Sequence, residues 1–147
     1  MNKIAYLRKK KTVVMEIFDP IRRKMVARTP EEEVRQQLIA WLVADRKVPQ
    51  TLMRSEFGFE YNGRRYRADI LVFDRSLRPL MLVECKAPEV KLDESVIDQV
   101  LRYNRTLQVK YILISNGKTA YLCRWDAAAG HYVTAGAVPT YPEMLEE

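Results

Sequence analysis

Cysteine and histidine are scarce in this chain of 147 residues, which contains two cysteines and one histidine. Cys85 and Cys123 are not part of a CxxC motif, and His131 stands alone. A disulfide framework or a zinc site requires more of these side chains at closer spacing. The sequence therefore argues against both, and we expect the two thiols to lie in the core.

Long apolar runs are missing as well. No stretch approaches the roughly 18 consecutive apolar residues of a membrane-spanning helix, and the N-terminus lacks the apolar segment of a signal peptide. There is also no repeat or low-complexity segment. These absences predict one globular domain over residues 1–147 that is cytoplasmic and makes no membrane contact.

The charge is basic on balance, because 25 Lys and Arg residues outnumber 19 Asp and Glu residues and give a net charge of +6. A positive excess favours polyanionic partners, above all nucleic acid. The basic residues cluster at 9–11, at 22–24, and at Arg64, Arg65 and Arg67. The last cluster directly precedes Asp69, which makes these arginines candidates for contacts with phosphate.

The first clear helix signal lies at residues 29–45. Thr29 is a suitable N-cap, Pro30 suits the first helical position, and Glu32 completes a capping box. These residues predict a helix that covers residues 30–45.

A helical wheel of this segment places Glu31 inside the apolar stripe and turns Glu32 and Glu33 away from it. We therefore expect Glu31 to be the acidic residue on the buried face, with Glu32 at the cap and Glu33 in solvent. The stripe consists of Val34, Leu38, Trp41 and Leu42.

Three strands follow. Asn62-Gly63 separates two strand-like runs and is a strong hairpin signal. The third strand, P-L-M-L-V-E-C-K-A-P at residues 79–88, places Glu84 and Lys86 on one face. One register with the preceding strand sets Asp69 opposite Glu84, about 4.5–5.5 Å apart at Cβ. Two facing carboxylates require a cation between them or a raised pKa on one of them.

A second helix is predicted over residues 93–107, where Gln99 and Tyr103 lie one turn apart. Strands over V-K-Y-I-L-I-S and T-A-Y-L-C-R-W flank Asn116-Gly117, and residues 127–147 suggest a small hairpin and a frayed tail. The order predicts an α/β fold with a mixed central sheet and helices on both faces. The core covers residues 29–126, residues 1–28 form a peripheral arm or strand, and residues 127–147 are peripheral.

Asp69, Glu84 and Lys86, with Glu31 from the helix, form a candidate metal site. Mg²⁺ prefers hard oxygen ligands and uses one or two carboxylates, while waters and substrate phosphate complete its coordination. The ion could activate a phosphodiester and a water, while Lys86 orients that water or neutralises developing charge. This pattern predicts metal-assisted phosphodiester hydrolysis.

These residues, in this order of elements, resemble the PD-(D/E)xK restriction-endonuclease-like superfamily. More closely, T-P-E-E-E-V-R, R-A-D-I-L-V-F, V-E-C-K-A-P and I-S-N-G resemble the N-terminal nuclease domain of the R subunit of type I restriction enzymes. Ala68 stands where the superfamily name has proline. The resemblance implies a restriction-endonuclease-like core of a helix, three strands, a helix and further strands.

The resemblance also implies roles for single residues. Asp69 and Glu84 would bind Mg²⁺, with Mn²⁺ as an alternative ion, and Lys86 would be the catalytic lysine. Glu31 would be the acidic residue that the helix contributes to the metal site. Gln99 and Tyr103 would be the accessory pair near the site and the DNA.

Type I R subunits carry an ATP-driven motor, and no ATP site is predicted in this chain. S-N-G-K-T at residues 115–119 resembles the end of a P-loop, but Ile112 stands where the first glycine would be. The expected partners are therefore DNA and separate restriction-system or motor subunits. A double-strand cut usually needs two sites, so a homodimer is consistent with this activity.

The favoured hypothesis is Mg²⁺-dependent hydrolysis of DNA. The alternative is a nuclease fold retained as a non-catalytic module that binds nucleic acid or a protein partner. RNA as the substrate is a further alternative, which a side-by-side assay on matched DNA and RNA would test.

Overall fold

The structure is a computed structural model that describes residues 15–146. A short hairpin comes first, formed by β1 (Glu16–Asp19) and β2 (Lys24–Ala27). Helix α1 (Pro30–Ala44) follows it, and a 3-10 turn at Gln50–Leu52 leads into the central sheet. The sequence predicts a peripheral arm or strand at residues 1–28, and residues 1–14 of this segment lie outside the described part of the chain.

Within residues 15–146, six strands form the central sheet, in their order along the chain. They are β3 (Met53–Tyr61), β4 (Arg64–Phe73), β5 (Pro79–Cys85), β6 (Tyr111–Ser115), β7 (Ala120–Asp126) and β8 (His131–Ala135). Only β5 and β6 pair in parallel, and every other neighbouring pair is antiparallel. A parallel pair requires a crossover, which α2 (Glu94–Asn104) and a 3-10 turn at Arg105–Leu107 supply.

Each face of the sheet carries its own apolar cluster. On one face, Met81 and Val83 of β5 pack with residues of α1, such as Ile39. On the other, Leu82 packs with residues of α2, such as Val100. The alternation along β5 follows from the two-residue repeat of a strand. The predicted mixed sheet with helices on both faces is confirmed.

The hairpin prediction is also confirmed, because β3 and β4 meet at Asn62 and Gly63, whose φ angles are 52° and 76°. These left-handed values are the ones that a tight hairpin turn needs and that Asn-Gly adopts readily. α1 begins at the predicted residue, and the Thr29 side chain accepts a hydrogen bond from the Glu32 amide at 3.0 Å.

The frayed C-terminal tail is a wrong prediction. Residues Tyr141–Leu145 form a short helix, α3. Its Tyr141 and Met144 are buried in the apolar cluster on the face of the sheet that α1 covers. The Tyr141 hydroxyl donates to the carbonyl of Phe73 at 2.8 Å. Two buried side chains and a hydrogen bond therefore hold this segment against the end of β4. Within residues 15–146, no helix is both long and apolar enough to cross a membrane.

Candidate active site

Asp69 and Glu84 lie on the neighbouring antiparallel strands β4 and β5. The pairs Ile70–Val83 and Leu71–Leu82 fix the register of β4 and β5, and continuing this register by one step sets Asp69 against Glu84. This is the register expected from the sequence. The Asp69 carboxylate also accepts a hydrogen bond from the backbone amide of Cys85 at 2.7 Å. Asp69 is thereby attached to β5 directly beside Glu84.

Lys86 follows the last residue of β5. Its backbone amide donates to the carbonyl of Ser115 on β6 at 2.8 Å, which extends the parallel pairing past the end of the strand. Its side-chain Nζ lies 3.5 Å from Glu84 Oε2. Glu84 and Lys86 therefore extend to the same side, as the alternation of a strand predicts.

Burial and repulsion act together on the two carboxylates. Removal from water, followed by the charge of Asp69, raises the pKa of Glu84 from 4.5 to about 7, although Lys86 acts in the opposite direction. Burial likewise raises the pKa of Asp69, and the Cys85 amide only partly offsets this. A raised pKa was expected on one of the two groups, and both show it. The site therefore holds negative charge at a cost in free energy.

A buried arginine, Arg35 of α1, connects the helix to this site. Its side chain is only 4% exposed, and its Nη1 lies 3.2 Å from the carbonyl oxygen and 3.8 Å from Oδ1 of Asp69. Its Nη2 binds Glu56 of β3 at 2.9 Å and lies 3.2 Å from Glu32. One guanidinium thus contacts three acidic residues from three different elements.

The sequence analysis missed both Arg35 and Glu56. Glu56 lies between Ser55 and Phe57, whose partners on β4 are Ile70 and Ala68, so the hairpin register already placed it beside Asp69. That signal was present in the Asn-Gly turn. Arg35 carried no such signal, because a charged residue on a helix is normally a solvated one.

The assignment of acidic residues on the first turn of α1 needs a correction. Glu31 was expected on the buried face and is exposed, whereas Glu32 was expected at the cap and is buried. The reason is Arg22 of the first hairpin, whose Nη2 binds both carboxylate oxygens of Glu32 at 3.0 and 2.9 Å. The hairpin covers this side of the helix, so the buried face is rotated away from the purely apolar stripe.

Glu31 nevertheless lies close enough to the site to respond to its charges. Partial desolvation and then the charge of Asp69 raise its pKa, while Arg35 and Lys86 oppose the shift. Within residues 15–146 it makes no hydrogen bond or ion pair. Its role as an acidic residue of the metal site stays a prediction.

The donor set fits a hard divalent cation in part. Among residues 15–146, no group of three or more His, Cys, Asp or Glu side chains is arranged to hold a metal ion. Mg²⁺ often takes only one or two protein carboxylates and keeps several waters. Asp69 and Glu84 supply such a pair, and a cation between them would relieve the repulsion that raises both pKa values. Their assignment as metal ligands remains a prediction.

The predicted accessory residues lie at the other end of the β3–β4 hairpin. Tyr103 donates its hydroxyl to the carbonyl of Arg65 at 3.3 Å, and the guanidinium of Arg64 stacks over the Tyr103 ring at 4.9 Å. A surface groove of about 530 Å³ is lined here by both Arg65 and Arg67. Gln99 is exposed, and within residues 15–146 its side chain makes no hydrogen bond to Tyr103.

Arg67 is already engaged, because it forms an ion pair with Glu56. Arg64 and Arg65 are exposed and make no ion pair within residues 15–146. The three arginines expected to contact phosphate therefore differ: two carry uncompensated charge, and the third also belongs to the Arg35 network.

Residues 115–119, which resemble the end of a P-loop, form a tight turn between the antiparallel strands β6 and β7. The Asn116 side chain accepts hydrogen bonds from the amides of Lys118 and Thr119. Its amide group donates to the carbonyl of Val90 in the loop after β5. A P-loop instead connects a strand to a helix, so this turn serves to hold the loop that follows the candidate site.

A comparison with protein families matches most of the described chain. The sequence model of the family described as "Type I restriction enzyme R protein N terminus (HSDR_N)" matches residues 30–139. The chain belongs to this family. The matched region of this R-protein N-terminal domain runs from the first residue of α1 past β8, and it includes Glu31, Asp69, Glu84 and Lys86.

Two solved structures share the fold of this R-protein N-terminal domain. A fragment assigned as an HsdR subunit of a type I restriction enzyme from Vibrio vulnificus YJ016 is 18% identical, with a TM-score of 0.53. The likeness covers 78% of this chain and 24% of that one, so the chain spans about a quarter of that relative. A protein assigned as a nuclease of the DUF820 group from Anabaena variabilis ATCC 29413 is 12% identical, with a TM-score of 0.53. That likeness covers 95% of this chain and 91% of the other. No curated protein matches the chain.

Proposed function

We propose that this domain hydrolyses phosphodiester bonds of DNA with Mg²⁺ bound by Asp69 and Glu84. The observation that carries the proposal is the convergence of these two carboxylates with the ammonium of Lys86 where two central strands meet. Family membership supports the same activity. A role in a restriction system would place the domain in the cytoplasm.

Each residue of the site would have its own role in the reaction. Asp69 is held by the Cys85 amide and Glu84 by the register of β5, so both carboxylates would offer oxygen ligands from rigid strands. When bound, Mg²⁺ would polarise the phosphodiester and lower the pKa of a water. Lys86, on the same side as Glu84, would place its positive charge beside the reacting phosphate or orient the attacking water. Glu31, at the rim of the site, would contribute its carboxylate to the metal site.

Arg64 and Arg65, with Arg67 beside them, would bind the DNA backbone. Their positions on the β3–β4 hairpin put positive charge on the strand that carries Asp69, and neutralised phosphates release counterions. Tyr103, held at the same groove, would contact the DNA there, and Gln99 would assist it from the same helix. In a restriction system, motor subunits would supply translocation, and two copies of the site would supply a double-strand cut.

A Mg²⁺ titration followed by calorimetry tests the proposal, with wild type, Glu84→Ala and the exposed control Glu16→Gln. Plasmid and single-stranded DNA added afterwards report cleavage. We expect metal binding and metal-dependent nicking in wild type and in the control, and neither in Glu84→Ala. Absence of any metal response in wild type would refute the proposal.

The alternative is a binding module that keeps the nuclease fold without catalysis. The observation in its favour is that the charges are already partly paired: Lys86 contacts Glu84, and Arg35 contacts Asp69. Metal binding by wild type without cleavage of any DNA or RNA substrate would support this alternative.

A further inference from the structure

Arg35 connects the candidate site to the N-terminal hairpin through a chain of ion pairs whose members are buried or half-buried. From Asp69 the chain passes to Arg35 and Glu32 on α1, and then to Arg22 in the turn between β1 and β2. It ends at Asp19, which is fully buried, pairs with Arg22, and accepts the backbone amide of Ile21 at 2.7 Å. These ion pairs therefore connect β4, which carries Asp69, to the first hairpin, about fifty residues earlier in the chain.

The geometry of Arg35 fits a role in orienting Asp69 better than a role in neutralising the nearby acidic residues alone. Its guanidinium is planar and has donors in fixed directions. One terminal nitrogen faces Asp69 and the other faces Glu56 and Glu32. A compact ammonium could neutralise the same charge but could not face three acids from α1, β3 and β4 in these directions at once.

The position of Glu56 strengthens this reading. Glu56 has a φ of 54°, a left-handed value that is rare for a non-glycine residue. The regular pairing of β3 with β4 continues on both sides of it, at Ser55 and Phe57, but not at Glu56 itself. The strand is thus distorted at the one residue that binds Arg35 and lies beside Asp69.

We propose that Arg35 is a positioning residue that holds Asp69 in the orientation needed to bind Mg²⁺, and that Glu32 and Arg22 brace it from the N-terminal hairpin. This inference rests on the proposed function for its metal, but the orientation of Asp69 can be measured without one. Residues that orient a metal ligand typically change metal affinity by about 10–100-fold when they are replaced.

The backbone amide of Cys85 reports the position of Asp69, because it donates to the Asp69 carboxylate. The neighbouring amide of Lys86 donates instead to a backbone carbonyl, that of Ser115. Hydrogen exchange followed by NMR therefore separates two effects. General destabilisation lowers the protection of both amides, whereas displacement of Asp69 lowers that of Cys85 alone.

The test compares wild type with Arg35→Met, Arg35→Lys and the surface control Arg28→Met. Arg28 pairs with Glu33 at an exposed site, at 3.2 Å. We expect Arg35→Met to reduce the exchange protection of Cys85 about tenfold relative to Lys86, and the control to leave the ratio unchanged. Should Arg35→Met fail to fold, Arg35→Lys keeps the charge and is expected to change the ratio in the same direction.

Calorimetric titration with MgCl₂ supplies the second readout. A positioning role predicts Mg²⁺ affinity at least about tenfold weaker in Arg35→Met. A role in charge balance alone predicts the reverse, since loss of a positive charge beside carboxylates favours cation binding. An unchanged Cys85 amide, full recovery by Arg35→Lys, or tighter Mg²⁺ binding would each overturn the inference. Wild type that binds no Mg²⁺ would instead refute the proposed function, and the Cys85 amide would still decide whether Arg35 positions Asp69.

Discussion

The charge of Glu84 makes the metal-free domain less stable as the pH rises. Burial and the neighbouring Asp69 raise its pKa from 4.5 to about 7, so the folded protein binds this proton more tightly than the unfolded chain. The resulting stability is fully present below the unfolded pKa and is lost as the pH rises through about 7. The difference corresponds to about 3 kcal/mol. Because the side chain is 27% exposed and partly screened, we expect about 2–3 kcal/mol.

Glu84→Gln removes this penalty, since glutamine has nearly the shape of a protonated glutamate and no charge. In the presence of a chelator, the variant should unfold at higher urea than wild type at about pH 8, and at nearly the same urea at about pH 5. Titrating groups that do not interact with Glu84 are common to both proteins and cancel in the difference. Glu16→Gln, an exposed change on β1, is the matched surface control.

Added Mg²⁺ should reverse the order at about pH 8, because a bound cation stabilises the ionised carboxylate of wild type and not the amide of the variant. A difference in unfolding free energy that stays constant between about pH 5 and pH 8 would refute the reasoning about Glu84. It would mean that water or Lys86 already compensates the charge.

Three further changes test other parts of the structure. Tyr141→Ala should lower the unfolding free energy by about 3–4 kcal/mol, because it empties a buried site and removes a hydrogen bond to β4; a loss below about 1 kcal/mol would contradict the packing of α3. Gly117→Ala should lower the free energy of unfolding, measured by thermal unfolding, by about 1–2 kcal/mol, because its φ is 87° and the new methyl would lie 3.2 Å from a valine of α1. Gly136→Ala, where the added methyl would meet open space, should lower it less. Arg64→Ala should weaken DNA binding and lower by about 1 the slope of log affinity against log salt concentration. Arg78→Ala removes a cation that is already paired with an aspartate, and it should change this slope less.

The parts of the fold that the sequence predicted are those that local chemistry decides. Asn62-Gly63 fixes a two-residue turn, and the turn fixes which residues of β3 and β4 face each other. Apolar runs then mark β5 and β6 as strands covered on both sides. The approach of Asp69 to Glu84 depends in addition on the register of β4 with β5, which the short connection between these two strands restricts.

The parts that the sequence analysis missed depend on contacts between distant segments. Glu32 is buried because Arg22, ten residues earlier, crosses over the first turn of α1, and no helical periodicity contains that information. Tyr141 and Met144 are the two buried residues of a five-residue helix, which is too short for a periodic signal. Such residues become visible only when the elements that cover them are placed.

Other acidic residues of the same protein help to distinguish a functional site from a structural ion-pair network. Asp19 is fully buried and Glu56 is half-buried. Hydrogen bonds from arginines, and from the Ile21 amide at Asp19, nevertheless outweigh desolvation and lower the pKa of each. Asp69 and Glu84 have cationic neighbours too, and their pKa values are raised. A network that serves only stability should compensate all its carboxylates alike, because an uncompensated buried charge is costly. Asp69 and Glu84 are left uncompensated on the adjacent strands β4 and β5 beside Lys86, and Glu31, whose pKa is also raised, lies close to them. A divalent cation would supply the missing charge there.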